Sequence, residues 1–557
     1  MRRCRCGAIV TALAVRLAGA QTPDPFAAAA RALVLERSET TDRPAEQAAL
    51  ARIYSPSDSR PLWSLPDGRL TAQASAAIGA LASAELHGLV SEDYDITALW
   101  ILSFTAEVSR TEAARFDVAL TRAMARFLTD LRFGRIDPAS VRFDLPPNVN
   151  DPDQLAARVV AVARAPDVPA VVTAAAPAYA GYHALERALA RYRALARDTT
   201  LRAPERARAT IHVGDRYADV GSLARWLQAS GDLDSASADT VIRASAAGST
   251  AYDSALAAAV VRFQRRHGLD ADGAIGPATM RELRVPFAQR IRQIELTLER
   301  WRWLPKQAPT RYAVVNVPAF RLEVFEDDSS AQRPVLSLKV IAGQADGRHE
   351  TPVFTATMRE VVFRPYWDVP TTIARAEVIP MVRRRPESFA EDGYEIVQRG
   401  APDAETATFE PTARNLARVA AGELRIRQRP GPANALGFIK FVFPNRYNVF
   451  LHDTPLRSLF ANSRRDYSHG CVRVERPTTL AALVLRGQAQ SDPAVTDSLM
   501  HGSRTVHVSV ADPLTVLVWY ATAVADADGL VSFYPDIYGR DAALEQAFAL
   551  PSIPGRR

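Results

Sequence analysis

Apolar residues along this chain change period twice, and the changes divide it. Over 25–210 they recur at helical spacing in a background rich in Ala and Arg. Phe116, Leu120, Met124, Phe127 and Leu131 fall three or four apart and stop before Gly134, as an amphipathic helix with a glycine stop should. Leu185, Leu189, Tyr192 and Leu195 repeat the pattern, so a helical scaffold is predicted over 21–210. No titratable cluster there asks for chemistry. A second helical unit follows over 211–286. Leu223, Trp226 and Leu227, then Ala257, Val260, Val261 and Phe263, outline two short helices, and the glycine-rich GLDADGAIGPATMREL at 268–283 turns into a third. Such a loop either meets a ligand or simply joins helices. A connecting helix is predicted over 287–303, with Ile291, Ile294, Leu298 and Trp301 on one face and Pro305 as its stop, inside a link spanning 287–309.

From Thr310 the period becomes two. Strands are predicted over 313–317, 321–325, 335–341, 353–363, 438–443, 447–451 and 505–510, which makes 310–545 a mostly β domain. Between 371 and 437 the pattern breaks into helical and loop composition, with Pro380, the Arg383, Arg384, Arg385, Pro386 run and a GPANALG loop. An interruption of that length inside a compact domain is usually functional or disordered. Residues 546–557 form a tail. The fold class is therefore multidomain α+β: a helical N-terminal scaffold, a small three-helix domain, and a mostly β C-terminal domain carrying an insertion.

Composition narrows the classes. With 557 residues the chain exceeds a single core. The formal charge of +6 includes Arg2, Arg3, Arg5 and Arg16, which leaves +2 for residues 21–557. That balance offers no footprint for nucleic acid. Residues 1–20 read as a secretory signal: an arginine-rich start, an apolar run over 7–15, and the small residues Ala18, Gly19 and Ala20 at a cleavage site. Arg16 shortens the apolar run, so an uncleaved arm or a misplaced start is the alternative. No later segment is an uninterrupted apolar run of about 18 residues, so no stable membrane span is expected after cleavage. Cys4 and Cys6 fall inside the signal, which leaves Cys471 as an unpaired exported thiol. It has no disulfide partner, and this favours a reactive role.

The chemistry gathers in HDTPLRSLFANSRRDYSHGCVRVE, from His452 to Glu475. A thiol attacks as thiolate, so it needs an imidazole or cation nearby and donors for the developing oxyanion. His452, Ser468, His469, Gly470 and Cys471 supply those parts, and Gly470 permits the tight turn that exposes a nucleophile. Zinc is the competing chemistry, because His452, Asp453, His469 and Cys471 are all competent ligands. Neither Cys-x-x-Cys nor His-Glu-x-x-His accompanies them, so no metal and no cofactor are expected.

His452, a gap of 15 residues, then Ser468-His469-Gly470-Cys471-Val472-Arg473 resembles the signature of the L,D-transpeptidase (YkuD-like) catalytic domain. TRYAVVNVPAFRLEVFED, ETPVFTATMREVVFRPYWDVP, RIRQRPGPANALGFIKFVFPNRYNVFLHDTP and SFYPDIYGRD extend the likeness over about 300–545 and narrow it to the large periplasmic YcbB-type enzymes. The resemblance implies a peptidoglycan-binding domain at 211–286 and a capping subdomain, or lid, at 371–437. It implies Cys471 as nucleophile and His452 as its base, with the Asp453 carbonyl orienting the ring and His469 shaping the turn. Gly470 and Cys471 would supply oxyanion donors from their backbone. Arg473, Ser468, Trp367, Tyr447 and Phe450 would meet the substrate, Arg473 through a carboxylate. Relatives often carry tyrosine where this chain has Phe450, and Tyr467 is the candidate substitute.

The activity implied is cross-linking of diaminopimelate residues in neighbouring peptidoglycan stem peptides through a cysteine thioester, in the periplasm of a Gram-negative-type envelope. Other wall-synthesis enzymes are the implied partners, and carbapenems the implied acylating agents. Two alternatives stand beside it: a hydrolase or wall-protein attachment enzyme of the same fold, and a non-catalytic wall-binding scaffold.

Overall fold

The computed structural model describes residues 24–550, apart from 37–42, 56–59, 66, 147–148, 307–308, 327–332, 403 and 405. The signal at 1–20 and residues 551–557 of the tail lie outside the described residues. The chain forms two compact units, one from the described residues of 1–81, 92–126 and 151–168, the other from those of 82–91, 127–150 and 169–557.

The first unit is helical. Helices Pro25–Leu35 and Pro152–Arg164 begin with proline behind an aspartate cap, Asp24 and Asp151 accepting from Phe26 N and Asp153 N. Its polar centre is Asp117, on helix Arg110–Phe133. The carboxylate accepts from Tyr54 Oη at 2.6 Å, Leu62 N at 2.9 Å, Trp63 N at 2.8 Å and Ser64 Oγ at 3.4 Å. One side chain thus ties the loop that opens PLWSLPDGRLT to the helix. Burial pushes this carboxyl up to about 6, against the pull of those donors.

In the second unit, helices Val220–Ser230, Ser235–Ala246, Ser254–Arg266 and Pro277–Leu283 close on Leu223, Leu227, Tyr252, Leu256, Val260 and Leu283. That is one helix more than the three predicted. Ser235–Ala246 was hidden because small polar residues fill it and only Ala238 and Val241 of its side chains are buried. The glycine-rich turn is held from within: Gln264 Nε2 donates to Asp272 Oδ1, Ala274 O and Thr279 Oγ1, and its Oε1 accepts from Gly273 N.

The β domain is a closed barrel. Its strands are β1 (Arg311–Asn316), β2 (Arg321–Glu326), β3 (Leu336–Gly343), β4 (Val353–Phe363), β5 (Ile439–Val442), β6 (Leu451–His452), β7 (Val472–Val474) and β8 (Val506–Trp519). They pair around the ring as β4, β5, β6, β7, β3, β2, β1, β8 and back to β4. Alternation does the rest: Val315, Val324, Val340, Phe441, Leu451, Val472 and Val518 are fully buried and fill the interior. The residues between them face outward.

Two predictions need correction here. The strand expected at 447–451 is only Leu451–His452, because Asn445 builds a turn. Its Oδ1 accepts from Tyr447 N and Val449 N, and Asn448 takes φ +53°. The insertion, expected as helix and loop over 371–437, holds a four-stranded sheet that starts earlier, at Trp367–Asp368, and continues through Leu424–Gln428, Tyr394–Gln398 and Thr408–Phe409. Helix Ala413–Ala421, the helical stretch over 371–384 and the short helix Ser388–Glu391 pack on it around Val378, Phe389, Ile396, Leu416 and Ile426. The insertion therefore has a core of its own.

Candidate active site

Three short strands carry the site. β5 and β6 are antiparallel with Lys440 opposite His452, and β6 and β7 are parallel with His452 opposite Arg473. Leu451, Val472 and Phe441 point inward, so the period of two turns Lys440, His452, Arg473, Phe450 and Cys471 to the outer face. Cys471 lies two residues before Arg473, diagonal to His452. The predicted nucleophile and base thus share one face.

His452 is 4% exposed. The Asp453 carbonyl lies 2.5 Å from its Nδ1. A carbonyl only accepts, so Nδ1 carries the proton and Nε2 keeps its lone pair. Burial first, then the Arg473 charge, brings the imidazole down to about 3, with Lys440 adding to the fall and the Asp453 carbonyl opposing it. The ring is neutral at physiological pH. Asp453 itself is locked: its carboxylate accepts from Phe438 N at 2.9 Å and Arg457 Nη2 at 2.8 Å. A Cβ at Gly437 would stand 2.4 Å from Asp453 Cγ, so that approach requires glycine.

Cys471 is the free cysteine among the described residues and is half-buried. Its Sγ lies 3.8 Å from the Asn448 carbonyl. Burial pushes the thiol up, while the Phe450 backbone, Lys440 and Arg473 pull the other way. The resting pair is therefore thiol and neutral imidazole. Gly470, at φ +108°, makes the turn that only glycine takes readily. Its N–H donates to Ser468 Oγ at 3.2 Å, and that hydroxyl donates to the Cys471 carbonyl at 2.5 Å. Ser468, 2% exposed, thus holds the turn from within. The Gly470 N–H, expected at the oxyanion, is engaged with Ser468 in this state.

The other expected residues disperse. Arg473 is half-buried, and its Nε makes no hydrogen bond among the described residues. Phe450 sets its ring edge-on to His452 at 5.7 Å and under the Lys440 ammonium at 4.3 Å. Tyr467 accepts from Asn462 Nδ2 at 3.0 Å rather than reaching Cys471. Tyr447 stands 5.4 Å from the Phe354 ring. Trp367 lies in the insertion, packed on its core. His469 Nε2 meets Glu377 Oε1 of the insertion at 2.6 Å, so the insertion touches the nucleophile turn.

Three residues were missed. His349 sets its ring 4.7 Å from that of His469 and pairs with Asp346 at 2.6 Å. Tyr538 braces the same corner, donating to Gly343 O at 2.6 Å and accepting from Thr351 N at 3.2 Å. Lys440 was visible in the alternation of GFIKFVF, which sets a lysine outward beside the base histidine. Among the described residues, no group of three or more His, Cys, Asp or Glu is arranged to hold a metal ion, and no helix is long and apolar enough to cross a membrane.

Comparison with known proteins covers three stretches. Residues 310–506 match the L,D-transpeptidase catalytic domain, 216–283 the "Putative peptidoglycan binding domain" and 48–189 the scaffold domain. A Haemophilus influenzae protein named "Putative L,D-transpeptidase" is 29% identical over 235 residues, 42% of this chain and 45% of the relative. The chain thus matches under half the length of that relative. A domain that acts on the cell wall, behind one that binds it, implies work outside the cytoplasm. The chain carries an L,D-transpeptidase catalytic domain, preceded by a scaffold domain and a peptidoglycan-binding domain.

Proposed function

We propose that this protein cross-links peptidoglycan by L,D-transpeptidation through a thioester on Cys471, in the periplasm. The observation that carries the reading is the shared outer face. Cys471 lies diagonal to a buried imidazole whose Nδ1 is fixed on the Asp453 carbonyl, within the stretch that matches the catalytic domain.

The neutral resting pair defines the first step. As Sγ attacks the carbonyl of diaminopimelate in a tetrapeptide stem, the thiol proton passes to His452 Nε2. The Cys471 N–H donates to the oxyanion that forms. Collapse breaks the C–N bond, and the imidazolium returns its proton to the departing D-alanine amine. The side-chain amine of diaminopimelate on a second stem then attacks the thioester and gives its proton to His452, which passes it to the departing sulfur as the C–S bond breaks and so restores the thiol and the neutral imidazole.

The insertion acts as a lid. Its contact with His469 sets it over the nucleophile turn, where it would hold the stems and keep water from the thioester. Cys471→Ala removes the nucleophile and little volume. Mass analysis of muropeptides from tetrapeptide-rich sacculi should show cross-links with the wild type and none with the variant. Cross-linking by Cys471→Ala near the wild-type rate would sink the thioester mechanism.

A further inference from the structure

His452 is the middle of a row. Lys440 stands opposite it on β5 and Arg473 opposite it on β7, so three adjacent strands present a cation, a neutral base and a cation on one outward face. Neither cation is paired with a carboxylate among the described residues. Arg473 Nε has no hydrogen-bond partner, and Lys440 meets no carboxylate among the described residues. The Lys440 ammonium instead rests 4.3 Å from the centre of the Phe450 ring. A cation–π contact fixes the end of a flexible stem without neutralising its charge. Two unanswered charges beside a buried base oppose folding. They are suited to a partner that arrives carrying negative charge on both sides of the reacting bond.

We infer that Lys440 and Arg473 form a two-carboxylate clamp on the donor stem, with Lys440 the specificity-determining residue that requires a free carboxylate. The inference rests on the transpeptidase reading above. In a tetrapeptide donor the scissile amide joins the diaminopimelate carbonyl to a terminal D-alanine. The leaving group ends in one carboxylate, and the diaminopimelate side chain ends in another. Neighbouring strands lie about 4.8 Å apart, so the two cationic residues are rooted about 10 Å apart. Two to three extended residues cover that span. Phe450 is then the perch that aims Lys440, where a tyrosine ring would serve the ammonium equally.

The test compares two donors on the full chain: a tetrapeptide with a free C-terminal carboxylate and the same peptide as its C-terminal amide. Release of D-alanine or its amide yields kcat and KM, and alkylation of Cys471 by iodoacetamide reports an intact site. The wild type should favour the acid. Lys440→Met should shrink the acid-over-amide preference in kcat/KM about 10- to 100-fold, the range of a charged hydrogen bond, beyond any loss that both donors share through His452 and Cys471. Lys440→Arg should recover most of the loss. Equal losses on acid and amide, or no preference in the wild type, overturn the clamp. If the wild type releases D-alanine from neither donor while Cys471 is still alkylated, the transpeptidase reading itself fails and the clamp falls with it.

Discussion

Asp117 in the first unit and His452 on the barrel are both buried ionisable groups, and they solve that problem in opposite ways. Asp117, 0% exposed, has both oxygens occupied: Tyr54 and Leu62 on Oδ1, Trp63 and Ser64 on Oδ2. His452, 4% exposed, has Nδ1 occupied and Nε2 open, between two cations that meet no carboxylate among the described residues. A buried polar group closed on its own chain does structural work. One left with an open lone pair on a face shared with a thiol is arranged for a reaction, and the strain shows as an imidazole depressed to about 3.

The comparison predicts opposite phenotypes. His452→Ala should slow acylation of Cys471 by a carbapenem about 10²- to 10⁴-fold, the usual loss with a general base, with the protein still folded. His469→Ala should slow it less, because His469 faces Glu377 and the His349 ring. The reverse order in stopped-flow acylation rates would exchange the two roles.

Asp117→Ala should do the converse. It removes the acceptor of the buried Trp63 N–H and the half-buried Leu62 N–H and one of two partners of the Tyr54 hydroxyl, which keeps Thr121 Oγ1 at 2.7 Å, so a loss of about 3 kcal/mol in unfolding free energy is expected. Urea midpoints measure it. A loss under about 1 kcal/mol would mean that the knot is not what holds the 61–71 segment to the helix.

The two groups also titrate with opposite sign. Asp117 is raised from 3.8 to about 6, so the native state binds the extra proton and this contribution to stability falls as pH rises through that window. His452 is lowered from 6.5 to about 3, so the unfolded state binds the extra proton and stability rises with pH between those values. Each slope is at most about 1.4 kcal/mol per pH unit. Relative to wild type, Asp117→Asn should gain stability as pH goes from 4.5 to 6, and His452→Gln should gain as pH goes from 6 to 4.5. Parallel shifts of both variants would show that neither group titrates as its burial implies.

Much of this contrast was legible in the sequence, for physical reasons. The resemblance of the motif named Cys471, His452 and the Asp453 carbonyl, and the parallel pair of β6 and β7 brings Cys471 and His452 to one face. β4 was read to the residue, since eleven consecutive strand positions leave no ambiguity. β7 was not seen as a strand, because three residues show no period. β8 was cut short at 510, because its register shifts between Ser509 and Leu514, at Pro513. The sheet of the insertion hid behind its arginines: LRIRQ alternates, yet Arg427 is buried on Glu395 and the carbonyls of Pro402 and Ala404. Asp117 was passed over because one aspartate in a helix gives no sign of donors more than fifty residues away. That Arg473 and Lys440 meet no carboxylate among the described residues was missed for a related reason: a residue's lack of partners is visible only in three dimensions.

Glu377 and His469 make a third kind of polar contact, neither closed in a core nor open to substrate, and it carries the smallest expected effect. Glu377 lies in the π-turn Ala374–Val378, a local widening of a helix that often marks a functional position. Its side chain is 53% exposed and that of His469 26%, so the pair contributes at most about 1 kcal/mol. Losing it leaves the insertion folded on its own core of Ile396, Leu416 and Ile426. On the proposed reading of the insertion as a lid, what changes is how long it rests on the nucleophile turn, by up to about fivefold. On that reading water competes with the acceptor amine for the thioester during every opening. Glu377→Gln should therefore raise the ratio of hydrolysed to cross-linked muropeptide two- to fivefold, about the limit that the pair energy sets, while carbapenem acylation keeps its rate. Arg383, Arg384 and Arg385, on the same insertion and away from His469, provide the control, and their replacement should leave that ratio near the wild-type value. If Glu377→Gln lowers both products together, the contact supports the turn itself, and the insertion has no gate at this point.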